Sequence, residues 1–74
     1  MSELEEQLLE VWRRWPLDSH RDRRLNEYAR LGLSETRALQ IVNRLLTDSV
    51  AMEQDPTTVG RLRRLRDSRM RRAG

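Results

Sequence analysis

The chain has no cysteine, no lysine and no phenylalanine among its 74 residues, and only two prolines and three glycines. Without cysteine there is no disulfide framework, no zinc-finger spacing and no thiol nucleophile, so a reducing, cytoplasmic setting is expected. No apolar run approaches the roughly 18 residues of a membrane span. The acidic start MSELEEQLLE also lacks the basic n-region of a signal peptide. A soluble protein without a membrane partner is the expectation. Apolar residues make up 36% of the sequence. So short a chain then holds one domain, residues 1–74, whose core depends on well-packed helices.

What the chain has instead is arginine. All 15 cationic residues are Arg, and guanidinium groups grip phosphates and guanine edges through two parallel hydrogen bonds, which an ammonium cannot do. The charges are segregated. Residues 1–10 carry four Glu and no cation, whereas residues 57–74 carry seven Arg against Asp67 alone. A basic end on a small domain points to a polyanionic partner, the alternative being a merely solvated charged face.

Helix signals dominate and strand signals are almost absent. SELEEQLLEVWRRWP opens with a capping box, Ser2 with Glu5, and sets Leu4, Leu8, Val11, Trp12 and Trp15 on one stripe. Pro16 ends that helix near Trp15. Asp18 or Ser19 can cap a second helix, from about His20 to Leu31, with Leu25, Tyr28 and Ala29 expected inward. Gly32 closes it, because glycine takes the left-handed conformation without steric cost. Ser34 caps a third helix reaching about Leu46, in which Ala38, Ile41, Val42 and Leu45 form the inner face. TDSVAMEQ reads as a loop with a short helical turn around Ser49 to Met52. Asp55 then caps a last helix with Pro56 at its first position and a narrow seam of Val59, Leu62 and Leu65.

Two helices joined by a turn that contains Gly and a capping Ser, the second with a polar outer face, form the helix-turn-helix pattern. The fold expected is all-α, a small helix-turn-helix bundle of three to four helices, with an Arg-rich C-terminal helix over residues 57–74. A plain helical bundle also satisfies this pattern. GLSETRALQIVNRLL resembles the helix-turn-helix segments of bacterial repressors of the lactose-repressor type, in the GLS turn and the closing IVN. Such motifs usually carry Ala four residues before the Gly, where Tyr28 stands here. Over nearly its whole length the chain is similar to a family of short actinobacterial and actinobacteriophage proteins of unassigned function, described as helix-turn-helix proteins. LLEVWRRW, GLSETRALQIVNRLL and DPTTVGRLRRLRDSRMRR carry that resemblance. In place of that family's usual aromatic pair after TR stand Ala38 and Leu39. The resemblance implies fold and lineage.

No catalytic constellation is legible. His20, the only histidine, lies beside Ser19 and Asp18 in sequence, but a triad needs a base oriented in a pocket, which neighbours at a helix start do not supply. Glu3, Glu6 and Glu10 share a face with no His or Asp cluster to complete a metal site. No enzyme activity, cofactor, metal or small-molecule substrate is expected. Trp12 and Trp15, at helical spacing with Leu4 and Leu8, read as core.

The expected function is sequence-specific binding of double-stranded DNA, as a small transcriptional regulator of an actinobacterium or its phage. Thr36, Arg37, Gln40, Asn43 and Arg44 are the expected base contacts, since Arg suits guanine and Gln or Asn suits adenine. Ser34, Arg61, Arg63, Arg64, Arg66, Arg69, Arg71 and Arg72 are the expected phosphate contacts. Glu35 complements the helix dipole. A homodimer is a candidate assembly, because one such motif covers only a half-site. The alternative is a protein-binding adaptor docking on RNA polymerase or another regulator of the transcription machinery, for which an exposed Leu39 would speak. RNA is third, since exposed aromatic platforms are not evident.

Overall fold

A computed structural model describes the backbone of residues 1–73 and the side chains as far as Ser68. Among these residues five α-helices follow one another: α1 Glu3–Arg14, α2 Arg21–Arg30, α3 Glu35–Leu45, α4 Ser49–Gln54 and α5 Pro56–Ala73. A single 3₁₀ turn, Asp18–His20, precedes α2, and the described residues contain no strand. The expected count of three to four helices is exceeded because Ser49–Gln54 is a full short helix. Asp48 caps it by accepting the Val50 N–H at 2.9 Å.

Local chemistry sets the other boundaries as well. Ser2 and Glu5 close the capping box of α1 reciprocally, at 2.8 and 3.2 Å. The Glu5 carboxyl sits below its usual range because the Ser2 backbone and hydroxyl donate to it. Gly32 has φ +77° and is the only positive-φ residue among those described. The Leu33 N–H reaches back to the Tyr28 carbonyl at 2.9 Å and the Gly32 N–H to Ala29 at 3.0 Å, which satisfies the last carbonyls of α2. Two residues later, the Ser34 hydroxyl accepts the Arg37 N–H at 3.2 Å and starts α3.

The core joins Leu8, Leu9, Val11 and Trp12 of α1 with Tyr28 of α2, Ala38, Ile41, Val42 and Leu45 of α3, Leu46, Ala51 of α4, and Val59 and Leu62 of α5. The inner face of α3 is the one its spacing predicts. That of α2 is so only in part: Tyr28 is buried and Leu25 packs against the core as expected, but Ala29 is exposed and Arg24, 5% exposed, lies inward instead. The guanidinium of Arg24 lies 4.1 Å from the Trp12 ring centroid and donates to the carbonyls of Trp15 (2.7 Å) and Leu17 (2.6 Å). A buried cation is tolerated there because two backbone acceptors and an aromatic face replace water. The inward line is therefore Arg24, Tyr28 and Leu31, and Tyr28 occupies the inner position itself.

Neither Asp18 nor Ser19 caps α2 through its side chain. The 3₁₀ turn takes up that stretch, and His20 Nδ1 accepts the Leu17 N–H at 3.2 Å. Leu9 is buried because α1 is covered on a second side, where it shares a cleft with Gln54 and Asp55.

Candidate nucleic-acid interface

The candidate interface is built on α3. Ala38, Ile41, Val42 and Leu45 anchor it to the core, and this phase turns Thr36, Arg37, Gln40, Asn43 and Arg44 to solvent, all five exposed. Arg37 Nη1 lies 3.4 Å from Gln40 Oε1, a long contact within the face that an outside partner can replace. Ser34 is exposed, and its oxygen is engaged by the Arg37 N–H while its own O–H remains able to donate. Leu39, expected on the surface, is half-buried and packs against the core. It lines a cleft with Trp12, Val42, Asn43, Leu46, Leu62, Leu65 and Arg66.

That cleft brings α5 beside α3. Asn43 and Arg66 share its rim, and Arg63 Nε donates to the Leu46 carbonyl at 2.7 Å, which caps the C-terminal end of α3 and fixes α5 against it. Arg63 is thus committed to holding the two helices together. Arg61 and Arg64 are exposed, and Arg66 is half-buried with Asp67 Oδ1 at 3.7 Å. The side chains of Arg69, Arg71 and Arg72 lie outside the described residues.

A residue that spacing did not reveal stands at the other end of α3. Arg21, the first residue of α2, places Nε and Nη2 on the two carboxylate oxygens of Glu35, the first residue of α3, at 2.9 and 2.7 Å. The fork holds the Arg21 guanidinium in its charged form even more firmly than usual. Glu35 therefore both faces the α3 N-terminus, as expected, and ties that end to α2. The separation of 14 positions between the partners leaves no local signature in the sequence.

The other polar and aromatic groups lie away from this face. Trp12 is buried under Arg24, whereas Trp15 is half-buried between Arg23, 4.7 Å from its centroid, and Arg14, at 5.6 Å, with His20 edge-on. The Tyr28 phenol is pushed up by burial, against the opposing charge of Arg24. Glu10 pairs with Arg13, and Glu3 and Glu6 are exposed; among the described residues no three His, Asp or Glu side chains are grouped to hold a metal ion. No helix among them is long and apolar enough to cross a membrane.

A family model described as "protein of unknown function (DUF3263)" matches residues 1–73. No curated protein and no solved structure matches the chain.

Proposed function

The chain belongs to the DUF3263 family, and on its own geometry we propose that it is a helix-turn-helix protein that binds double-stranded DNA sequence-specifically and serves as a small transcriptional regulator. The observation that carries this reading is the exposed polar face of α3. Its four inward residues are fully engaged in the core, yet its outward side offers a Thr, two Arg, a Gln and an Asn with no large apolar group among them. A helix of this kind fits the major groove, where Arg pairs with guanine and Gln or Asn with adenine. The exposed arginines of α5, Arg61 and Arg64 among the described side chains, supply the phosphate contacts that give affinity without sequence information. The family resemblance supports an actinobacterium or its phage as the setting.

A second reading, a protein-binding adaptor, is favoured by one feature, the apolar cleft between α1, α3 and α5 with Leu39 and Leu65 at its wall. Selection of duplexes from a random pool followed by gel retardation separates the two. A regulator enriches a preferred site, and Gln40→Ala or Arg37→Ala weakens that site by about 1–3 kcal/mol while random duplex is held as before. Equal losses on both DNAs would show that these side chains read no bases.

A further inference from the structure

We propose that Arg21 is a specificity-determining residue of the DNA face that acts through Glu35: it withholds the one acidic side chain of α3 from the bases, so that the leading turn of the helix selects guanine over cytosine. The proposal rests on the DNA reading and names the base preference at that end of the site. Glu35 is the first residue of α3 and its only acidic one. A helix-turn-helix protein reads base edges with the N-terminal residues of its second helix, so residue 35 stands where a side chain meets the bases. A carboxylate there accepts from the cytosine amino group and is repelled by the O6 and N7 acceptors of guanine. Left to itself, Glu35 would favour cytosine.

The fork takes that option away. Arg21 places Nε and Nη2 on the two carboxylate oxygens at 2.9 and 2.7 Å, a parallel pair that an ammonium cannot offer. Both oxygens are thereby turned to the first residue of α2, and the pair carries no net charge towards a duplex. What this end of α3 offers instead is Thr36 and Arg37, both exposed. Arg37 has donors and no acceptor, so it suits guanine and not cytosine. One turn on, Gln40 has its Oε1 3.4 Å from Arg37 Nη1, which leaves its amide N–H groups to donate to an acceptor base in turn. With the Arg21 side chain 62% and that of Glu35 33% exposed, the fork lies at the surface, and breaking it changes what Glu35 reaches without opening the core.

The test measures, for each protein, the ratio of its affinities for the site selected by the wild type and for the same duplex with one guanine–cytosine pair reversed, position by position. The full-length wild type is compared with Arg21→Gln, Arg21→Lys, Glu35→Ala and the double variant Arg21→Gln/Glu35→Ala, with circular dichroism as the folding control. A loss of stability lowers every affinity of a protein alike and moves none of its ratios. Arg21→Gln frees the carboxylate, and at one position the guanine preference should fall by about tenfold, the worth of one good base contact. Arg21→Lys meets one oxygen in place of two and should move the same ratio by less. Glu35→Ala and the double variant have no carboxylate to release and should keep the wild-type ratio. A wild-type ratio at every position in Arg21→Gln overturns the proposal, as does a shift that persists in the double variant; should Arg21→Gln not fold, Arg21→Lys decides in its place. A folded wild-type protein that binds no duplex at low salt, or binds all duplexes alike, overturns the DNA reading itself.

Discussion

Removing the Asp55 side chain tests how α1, α4 and α5 are held together. Asp55 Oδ1 accepts the Thr58 N–H at 3.1 Å as the cap of α5, and Oδ2 receives Nε and Nη2 of Arg13 at 3.1 and 2.7 Å. The Asp55 side chain is only 12% exposed and Thr58 is buried, so Asp55→Ala leaves that N–H without its cap and costs about 1–2 kcal/mol. Arg13 is 55% exposed, which limits the ion pair to roughly a further 0.5 kcal/mol. The expected total is about 2 kcal/mol, or a fall in Tm of roughly 10 °C for a domain of this size. Asp55→Asn retains a capping oxygen and should cost less than about 1 kcal/mol, as should Arg13→Ala. Burial pushes the Asp55 carboxyl up, but Arg13 and the Thr58 hydrogen bonds outweigh it and hold the carboxyl below its ordinary value. A depressed folded pKa contributes stability above the unfolded value near pH 4 and loses it as the pH falls through the folded one. The gap between wild type and Asp55→Ala in thermal melts should therefore narrow below about pH 4. If Asp55→Asn is as damaging as Asp55→Ala at neutral pH, the charge and not the cap dominates and this partition is wrong.

The remaining expectations concern single residues. Gly32→Ala should cost on the order of 1 kcal/mol in thermal melts, because a Cβ at φ +77° is strained even with nothing within 4 Å of it; a neutral result would mean that the turn relaxes. Arg24→Ala should cost about 2–3 kcal/mol by leaving the Trp15 and Leu17 carbonyls without their donor, and Arg24→Lys should recover only part of it. Full recovery by Lys in chemical denaturation would show that the fork and its stacking on Trp12 contribute nothing.

The parts of this fold legible in the sequence are those fixed by neighbours in the chain. Ser2 with Glu5, Ser34 with Arg37, and Asp55 before Pro56 each announce a helix start through contacts three residues apart. The Gly32 turn and the inner face of α3 follow in the same way from conformation and period. The features that spacing hides depend on what lies across the bundle. Arg24 sits at i−4 from Tyr28 and i−7 from Leu31, but a charge at that position hides the stripe unless the Trp12 face and two carbonyls are already known. Leu9 and Leu39 fall off the single stripe drawn for each helix because each meets a second neighbour, Gln54 and Asp55 for Leu9 and α5 for Leu39. Of the candidate interface, the exposed face of α3 is legible. The Arg21–Glu35 fork and the engagement of Arg63 by Leu46 are not, since their partners are 14 and 17 residues apart.

The central claim is that α3 and the arginines around it bind duplex DNA. Its most direct test is the affinity of the purified protein for a fixed duplex measured from low to physiological salt, with circular dichroism confirming the fold at each point. Counterion release predicts tight retention at low salt and a log–log slope of about −0.9 for each phosphate engaged. A protein that stays helical and yet shows no duplex binding at the lowest salt contradicts the account.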